Sequence, residues 1–471
     1  MHQVPVASLD PQRFAEVLDD GPLDRFQELI ANGREQLEGR VVWNVNSTAT
    51  GGGVAEMLMP LIGYCRGAGV DARWVVIEGD DEFFALTKRI HNRLHGAIGD
   101  GGGLGPAEHA IYERTTGKSA AKLLALVAPD DIVVLHDPQT AGLVTPLKAA
   151  GIHVVWRCHV GLDEPNEHAH EAWEFLHRYV APADAYIFSR EVFVWADLDR
   201  DKIAIIAPSI DAFSPKNDRL DPQAQAAILA VTGISGEDGH QDAVYTRHDG
   251  TPGRVDRLAQ ITGGGKVPEG VPLVTQVSRW DRLKDPIGVM RGFAEHVVSE
   301  TDAHLLLVGP DVEAVTDDPE GLEVLRECQA GWERLPEEVR ERIHLITLPM
   351  DDPEENAAIV NAIQRASAVI VQKSLAEGFG LTVTEGMWKA RPVVASRIGG
   401  IQDQIVDGVS GILVDPYDLP GFGAEVTRLV NDPDRAREIG EAAYERVREH
   451  FLGSRHLAQY LDLFRRLGAT G

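Results

Sequence analysis

The stretch that most constrains the fold covers residues 369–400, where two short apolar runs flank a glycine-rich loop and a helical pattern. The first run, Ala368–Val371, suits a buried parallel strand, and the second is Pro392–Ala395. Between them we expect a loop over residues 372–380 and a helix over 381–388. This order of strand, loop, helix and strand predicts a βαβ unit of an α/β fold.

The loop and the helix of this unit carry two carboxylates. Glu377 lies in the loop, and Glu385 lies about one turn into the helix. Ligands of such folds bind beyond the carboxyl ends of the strands, where the amides of a helix N-terminus point. We therefore expect the two carboxylates to hold hydroxyl-bearing rings of one ligand. The amides of the loop between them suit phosphate, and they belong to Gly378, Phe379, Gly380 and Leu381. The alternative is an ordinary crossover with Glu385 facing solvent.

A basic motif belongs to the same half of the chain. A strand predicted over residues 272–277 is followed by Arg279 and Lys284, five positions apart, and then by a helix from Ile287. Two cations that converge on one point suit a pyrophosphate. The alternative is a solvated basic turn, which is less favoured in so acidic a chain.

A similar pattern occurs near the N-terminus. A predicted strand over Val41–Asn46 runs through a polar loop into Gly51, Gly52 and Gly53, and a helix is expected over residues 54–66. Strand, glycine loop and helix form the geometry of a phosphate cradle. Three consecutive glycines do not match the G-x-G-x-x-G fingerprint, so we expect no dinucleotide cofactor. The alternative is a tight turn without a ligand.

Two further strands deliver polar side chains at their ends. The strand over residues 132–135 is followed by His136 and Asp137, and the strand over 153–156 leads to His159. Open α/β sheets place their chemistry at such ends. The polar segment 80–92, which ends in His91 and Asn92, suits a sugar-binding loop or, equally, an amphipathic surface helix.

Composition limits the class of protein. The chain has 471 residues, enough for two or three domains, and a formal net charge of -28, which argues against nucleic-acid and anionic-membrane partners. Its cysteines, Cys65, Cys158 and Cys328, favour neither a disulfide framework nor a zinc site. The chain shows no secretory signal and no apolar stretch that could span a bilayer, so we expect a cytoplasmic protein.

Together these elements predict an α/β protein with two doubly wound parallel-sheet domains. Residues 1–212 would form the first domain, with a polar helical extension over 1–38 that breaks at residues 20–22. Residues 213–451 would form the second, with a helical hairpin or mobile insert over 216–268. A final helix over 452–471 would cross back to the first domain.

Several motifs carry a resemblance to a known family. The chain contains VWNVNSTATGGGVAEML, FFALTKRIHNRLHG, HDPQ, WRCH, VSRWDRLKDP and EGFGLTVTEGMWKARPVVAS. Together they resemble trehalose glycosyltransferring synthase, a family of retaining, nucleotide-sugar-dependent glycosyltransferases. Its GT-B fold has two Rossmann-like domains that face each other across a cleft. The family makes trehalose, reversibly, from a nucleoside-diphosphate glucose and free glucose.

The resemblance implies a role for each candidate residue. Arg279 and Lys284 would bind the donor diphosphate, and Glu385 the ribose. Glu377 would hold the donor glucose, with His159 near its reacting carbon. The remaining candidates divide between a donor group, Gly51 to Gly53 with Gly378 to Leu381, and an acceptor group, Asp137, His91 and Asn92.

The resemblance also bears on cofactors, partners and rivals. No cofactor and no metal are expected, because Arg279 and Lys284 would stabilise the leaving diphosphate. The expected partners are nucleoside-diphosphate glucose, glucose and trehalose, with no nucleic acid or membrane, and a homodimer stays open. Other retaining GT-B transferases, a trehalose phosphorylase and a non-catalytic sugar-nucleotide-binding protein remain alternatives.

Overall fold

The computed structural model describes residues 1–49, 52–236, 242–263, 265–312 and 319–468. The chain forms two compact units: unit 1 comprises residues 1–209 and 451–471, and unit 2 comprises residues 210–450. The sequence-derived domain limits at residues 212 and 451 stay predictions.

Unit 1 is built on a seven-stranded sheet. Its order is β1-β3-β2-β4-β5-β6-β7, and all neighbours are parallel except β1, which runs antiparallel to β3. The strands are β1 (His2–Val4), β2 (Val41–Asn46), β3 (Asp71–Val76), β4 (Ile132–His136), β5 (His153–Cys158), β6 (Ala185–Phe188) and β7 (Ile203–Ile205).

Among the described residues, seven α-helices of unit 1 precede residue 181. They are α1 (Asp20–Gln36), α2 (Gly52–Gly67), α3 (Asp81–Leu94), α4 (Pro106–Leu124), α5 (Asp137–Thr140), α6 (Val144–Ala149) and α7 (Glu167–Val180). Side chains at the N-caps fix where two of them start: Asp80 accepts from the amide of Phe83, and Asn166 accepts from the amide of Ala169. Such caps satisfy amides that have no acceptor within the helix.

Unit 2 carries a second seven-stranded sheet, ordered β10-β13-β12-β11-β14-β15-β16, in which only β10 is antiparallel to its neighbour. A separate hairpin pairs β8 with β9. The strands are β8 (Val244–Thr246), β9 (Pro252–Arg254), β10 (Gln260–Thr262), β11 (Leu273–Val277), β12 (His304–Pro310), β13 (Ile343–Leu348), β14 (Val369–Gln372), β15 (Val393–Ser396) and β16 (Ile412–Val414).

The helices of unit 2 lie between and after these strands, and one last helix returns to unit 1. Those of unit 2 are α8 (Pro222–Val231), α9 (Pro286–His296), α10 (Pro319–Glu333), α11 (Glu337–Arg340), α12 (Pro353–Ala366), α13 (Leu381–Trp388), α14 (Ile401–Gln404), α15 (Leu419–Asn431) and α16 (Pro433–His450). Helix α17 (Gly453–Gly468) belongs to unit 1, where it packs against α1 and α2.

The apolar runs of the sequence become the cores of these sheets. The central residues of β4 and β5 are buried, and so are those of β11 and β14, because helices cover both faces of a parallel sheet. Short apolar runs were therefore sufficient to locate these four strands, and the predicted two-sheet α/β class is confirmed.

Two local predictions were wrong. The N-terminal 38 residues are not all helical, since β1 pairs with β3, and Asp20 to Pro22 open α1 rather than break a helix. Proline is tolerated there because first-turn amides have no acceptor within the helix. Segment 216–268 is not a helical hairpin, because its described residues form one helix, the β8–β9 hairpin and the edge strand β10. Three-residue strands leave too little periodicity to detect.

Two further predictions concern cysteines and membranes. Cys65, Cys158 and Cys328 are all buried and free in this structure. Across the described ranges, no helix is long and apolar enough to cross a bilayer.

Candidate functional site

In each unit the predicted residues follow strands on both sides of a reversal in strand order. In unit 2 the chain places β12 and β13 successively on one side of β11, and then β14, β15 and β16 successively on its other side. The strand order therefore reverses between β11 and β14. In unit 1 the reversal lies between β2 and β4. Ligands of open α/β sheets bind outside the carboxyl ends of strands at such switch points. The strand order thus selects two places, one in each unit.

The unit 2 switch point carries an ion pair between two predicted residues. Lys284 ends a 3₁₀ turn after β11, and Glu377 lies in the loop after β14. Lys284 Nζ lies 2.5 Å from Glu377 Oε2, and the two side chains are only 17% and 12% exposed. Ser374 Oγ donates to the same carboxylate oxygen at 3.4 Å. An ammonium and a carboxylate thus meet between the two strand ends.

Arg279 follows the same strand but faces solvent more openly. Its side chain is 57% exposed, and its guanidinium lies 3.2 Å from Asp281 Oδ2. Asp281 in turn accepts from the amide of Leu283 and so shapes the turn before Lys284. The structure places both cations on one loop, and their convergence on one phosphate group stays a prediction.

The glycine loop allows a close approach that side chains would prevent. Gly380, the N-cap of α13, has φ +83°, which L side chains rarely adopt. A Cβ atom on Gly399, in the next loop, would lie 1.7 Å from the carbonyl oxygen of Glu377. Gly378 accepts from the amide of Gly400 at 3.1 Å, and buried Phe379 lies between the two loop glycines. Leu381 begins α13, whose first-turn amides have no acceptor within the helix.

Glu385 is buried, with 2% of its surface exposed, so the alternative of a solvent-facing residue is wrong. Lys216 Nζ lies 3.5 Å from Glu385 Oε1, whereas Oε2 is buried without a hydrogen-bond partner among the described residues. An unbonded buried carboxylate oxygen is costly and therefore rare. Two hydroxyl groups of a ligand would satisfy it.

Sequence reasoning missed the side chains that hold the Lys284 loop. Lys373, 1% exposed at the end of β14, forms an ion pair with Asp285, the residue after Lys284. Gln276 at the end of β11 donates to the carbonyl oxygen of Lys284 at 3.0 Å. Leu375 donates from its amide to Leu283. A lysine next to a strand end was the only signal in the sequence, and nothing there identified its partner 88 residues away.

In unit 1, four side chains form a continuous hydrogen-bond chain. Asn44 Oδ1 lies 3.2 Å from His136 Nε2, His136 Nδ1 lies 3.0 Å from His159 Nε2, and Arg157 Nε donates to His159 Nδ1 at 3.2 Å. Because the amide oxygen of Asn44 only accepts, His136 carries its proton on Nε2 and accepts at Nδ1. His159 therefore carries its proton on Nε2, and its Nδ1 accepts from Arg157. Both histidines are then neutral, and burial lowers their pKa values, to about 3 for His136.

The positions of the two histidines bear on their predicted roles. Both ring nitrogens of His159 are bonded inside unit 1, so a sugar contact through the ring would replace one of these bonds. The role of His159 near the reacting carbon stays a prediction. Asn44 and Arg157 were missed, although Asn44 lies in a predicted strand and Arg157 directly follows another.

Arg157 is fully buried, and its partners among the described residues are all neutral groups. Besides His159, its N–H groups reach His456, Tyr460, the sulfur of Met57 and the carbonyl oxygen of Ile206. His456 and Tyr460 come from α17, and His456 Nδ1 lies 2.9 Å from Ser209 Oγ. All five donors of the guanidinium are thus engaged within unit 1.

Asp137 has an unusual backbone and an unusual acidity. Its φ is +62°, in the left-handed region, where strain often marks a functional position. Oδ1 accepts from the amide of His159 at 2.8 Å, which leaves Oδ2 without a partner among the described residues. Burial raises the pKa of Asp137 to about 7. The carboxylate therefore changes charge near neutral pH.

The other unit 1 candidates are less directly placed. Segment 81–94 is helix α3, so the surface-helix alternative holds rather than a loop. His91 and Asn92 lie in its last turn, and no hydrogen bond in the described ranges joins them to Asp137 or His159, although α3 packs beside α5. Gly52 and Gly53 begin α2, whereas Gly51 lies outside the described residues. Among the residues described, no cluster of three or more His, Cys, Asp and Glu side chains could hold a metal ion.

Comparison with known proteins matches both halves of the chain. Residues 44–195 match the family model described as trehalose synthase, N-terminal domain, and residues 264–446 match glycosyl transferases group 1. The chain is 37% identical over 459 residues to a trehalose synthase of Pyrococcus horikoshii, covering 97% of this chain and 96% of that protein. It is 35% identical over 437 residues to a trehalose synthase of Rubrobacter xylanophilus, covering 92% of each.

Solved structures agree on the fold. An α,α-trehalose-phosphate synthase (UDP-forming) from Burkholderia xenovorans superposes with a TM-score of 0.64 at 15% identity, covering 92% of this chain and 100% of that chain. At this identity the likeness concerns the fold alone, which is GT-B.

Proposed function

The chain belongs to the trehalose synthase family of GT-B glycosyltransferases, and we propose that it makes trehalose from a nucleoside-diphosphate glucose and free glucose. The reaction would be reversible, would retain the α configuration of the donor, and would need no metal. The observation that carries the donor side is the ion pair of Lys284 and Glu377 at the unit 2 switch point, with Arg279 on the same loop.

Unit 2 would bind the donor through three kinds of contact. Lys284 and Arg279 would take the diphosphate, and the amides that begin α13 would assist them. Glu377, released from Lys284 by the incoming phosphate charge, would accept from the glucose hydroxyls. Glu385 Oε2, which has no hydrogen-bond partner among the described residues, would accept from the ribose hydroxyls.

The charge that develops in the reaction explains why cations matter. As the bond between glucose C1 and the phosphate oxygen breaks, negative charge grows on the diphosphate and positive charge grows on the sugar. Preorganised cations at the diphosphate stabilise that state more than the bound substrate. The acceptor hydroxyl would form its bond to C1 on the face that the diphosphate leaves. Its proton would pass to the departing diphosphate oxygen.

Unit 1 would bind the acceptor. Asp137 Oδ2 has no partner among the described residues and suits a sugar hydroxyl, and His91 and Asn92 are further candidates on α3. We expect free glucose rather than glucose 6-phosphate. Arg157, the cation in the Asp137–His159 network, already donates all its N–H groups within unit 1 and is not available to a phosphate.

The test is to incubate the purified protein with ADP-, UDP- and GDP-glucose in turn, each with glucose, and to identify the sugar product by NMR. We expect α,α-trehalose with at least one donor, formed equally well after treatment with a chelator. Trehalose plus the matching nucleoside diphosphate should regenerate the sugar nucleotide.

Other outcomes would contradict the proposal in distinct ways. Product from glucose 6-phosphate but not from glucose would indicate a trehalose-phosphate synthase. Product from glucose 1-phosphate without a nucleotide would indicate a phosphorylase, and nucleotide binding without any product would indicate a binding protein. Activity lost to a chelator and restored by Mg²⁺ would remove the metal-independent mechanism.

A further inference from the structure

A cavity in unit 2 lies at the amino ends of the sheet strands, whereas Lys284 and Glu377 lie beyond their carboxyl ends. Its lining includes Pro272, Ala368 and Pro392, each of which immediately precedes a parallel strand. Its volume is about 830 Å³, within the range of small-molecule sites. Because it adjoins the amino ends of the strands, it is separate from the proposed donor site at their carboxyl ends.

The walls of this cavity are largely apolar. Helix α8 contributes Leu229, the sheet contributes Leu306, and α12 and α15 contribute Ile363 and Val430. Leu306 and Ile363 are fully buried in the core that backs the cavity. Such walls favour an aliphatic or aromatic body over a sugar.

One cation on the lining, Arg391, has no counter-charge among the described residues. Arg391 is half-buried, its Nε is buried without a hydrogen-bond partner, and no carboxylate of the described residues forms an ion pair with its guanidinium. Burial lowers the pKa of Arg391, because the charged form loses hydration. An anion beside the guanidinium would offset that loss, and the arginine fork matches a carboxylate in particular.

The other charged residues of the lining differ from Arg391. Arg437 already pairs with Asp434 at 3.2 Å and with Glu441 at 3.4 Å. Glu269 also lines the cavity and would repel an anion at its own position. A ligand anion is therefore directed to Arg391.

We propose that this cavity binds a small amphipathic anion, with its apolar body against the walls and its carboxylate on Arg391. The proposal does not depend on the transferase reaction, since none of the residues assigned to donor or acceptor lines the cavity.

The test compares two probes of one shape, 2-naphthoate and its neutral amide, 2-naphthamide, by isothermal titration calorimetry of the full chain. We expect saturable binding of 2-naphthoate at one site, at least tenfold tighter than binding of the amide. Sugar nucleotide at saturating concentration should not displace the probe, since the two sites lie at opposite ends of the strands.

Three variants locate the site. Arg391→Gln should weaken 2-naphthoate about tenfold and leave the amide unchanged, whereas Arg437→Gln, the matched control on the same lining, should change neither. Ala366→Leu, which fills the cavity and keeps Arg391, should weaken both probes.

Three results would overturn the proposal: equal affinity for the acid and the amide, equal effects of the two arginine variants, or unchanged binding in Ala366→Leu. If Arg391→Gln does not fold, the comparison of probes and the Ala366→Leu variant still decide.

Discussion

Lys284 and Glu377 form an ion pair in the structure, but the proposed reaction gives them different partners. Lys284 would bind the diphosphate, and Glu377 would bind the glucose. Within the protein the pair keeps both charges compensated. In the proposed reaction, the charge of an incoming diphosphate would replace the carboxylate as the partner of Lys284, which would free Glu377 for the sugar. The energetic effect of each residue should therefore appear at a different stage of the reaction.

Lys284→Met and Arg279→Ala should act on turnover. Each removes positive charge that stabilises the leaving diphosphate more as its bond breaks, so kcat should fall by roughly 10²-fold or more, with a smaller change in the KM of the donor. Steady-state kinetics with varied donor concentration measures both constants.

Arg282→Gln is the matched control, because Arg282 lies in the same turn but pairs with Glu320 and Glu327 of α10, at 3.1 and 2.7 Å. It should leave kcat close to that of the unaltered enzyme. Near-normal turnover of folded Lys284→Met would contradict the assignment.

Glu385→Gln should act on binding. Ribose hydroxyls do not change charge during the reaction, so their contact with the carboxylate is the same in the ground state and the transition state. The KM of the donor should rise more than kcat falls, and the thermal stabilisation that the sugar nucleotide gives should shrink. A fall in kcat alone would show that Glu385 acts on the reacting groups instead.

Asp137 should make the binding of glucose depend on pH. Its pKa is raised to about 7, so near pH 6 the side chain is mostly a neutral acid and near pH 8 mostly a carboxylate. A carboxylate accepts stronger hydrogen bonds from hydroxyls. The KM of glucose should therefore fall as pH rises through about 7. Asp137→Asn should bind glucose weakly at every pH. A flat profile in the unaltered enzyme would refute the assignment.

At the scale of elements, a strand or helix could be predicted when its pattern lay within a few consecutive residues. The strands β2, β4, β5 and β14 are short apolar runs before polar or glycine loops, and α13 was predicted with its observed limits, Leu381–Trp388. Glu377 and Glu385 could be found because their spacing lies within one βαβ unit. The three-residue strands of segment 216–268 carry no such pattern and were missed.

Contacts between distant elements could not be predicted. The partners of Arg157 include His456 and Tyr460, about 300 residues later, on a helix whose sequence shows only an amphipathic pattern. Likewise, the position of Lys284 depends on Lys373 at the end of another strand. Strand order brings such residues together, and a single sequence does not determine strand order.

The Lys373–Asp285 pair gives an element-scale prediction. It fixes the residue after Lys284 against the end of β14, so Lys373→Met should lower kcat of the transfer, and Lys373→Arg should restore part of it. The control is Lys148→Met, which breaks the ion pair of Lys148 with Asp184 in unit 1, at 2.7 Å. Equal kinetic losses in Lys373→Met and Lys148→Met would mean that Lys373 contributes stability alone.

At the scale of the whole molecule, one pattern recurs. Each sheet reverses its strand order once. In unit 2 the candidate residues follow the two strands that flank the reversal, β11 and β14, whereas in unit 1 Asp137 follows a flanking strand, β4, and His159 follows the next strand, β5. The chain has a net charge of -28, yet the buried Arg157 and the half-buried Arg391 form no ion pair with a carboxylate among the described residues. The cytoplasmic location and the homodimer stay predictions.

The buried histidines of unit 1 predict that the molecule loses stability in mild acid. Burial keeps the pKa values of His136, His159 and His456 below the value of about 6.5 expected in the unfolded chain, so as pH falls below about 6.5 the unfolded chain takes up these protons first. Asp137 acts in the opposite sense between pH 7 and about 4, but it is one group against three histidines.

Urea unfolding from pH 7.5 to 4.5 should show that the free energy of unfolding falls as the pH falls. His456→Gln, which can keep bonds to Arg157 and Ser209, should reduce the slope by up to about 1.4 kcal/mol per pH unit, the value for one proton. His450→Gln, at a position 53% exposed, should not. Parallel curves for His456→Gln and the unaltered protein would show that His456 is not held neutral by the fold.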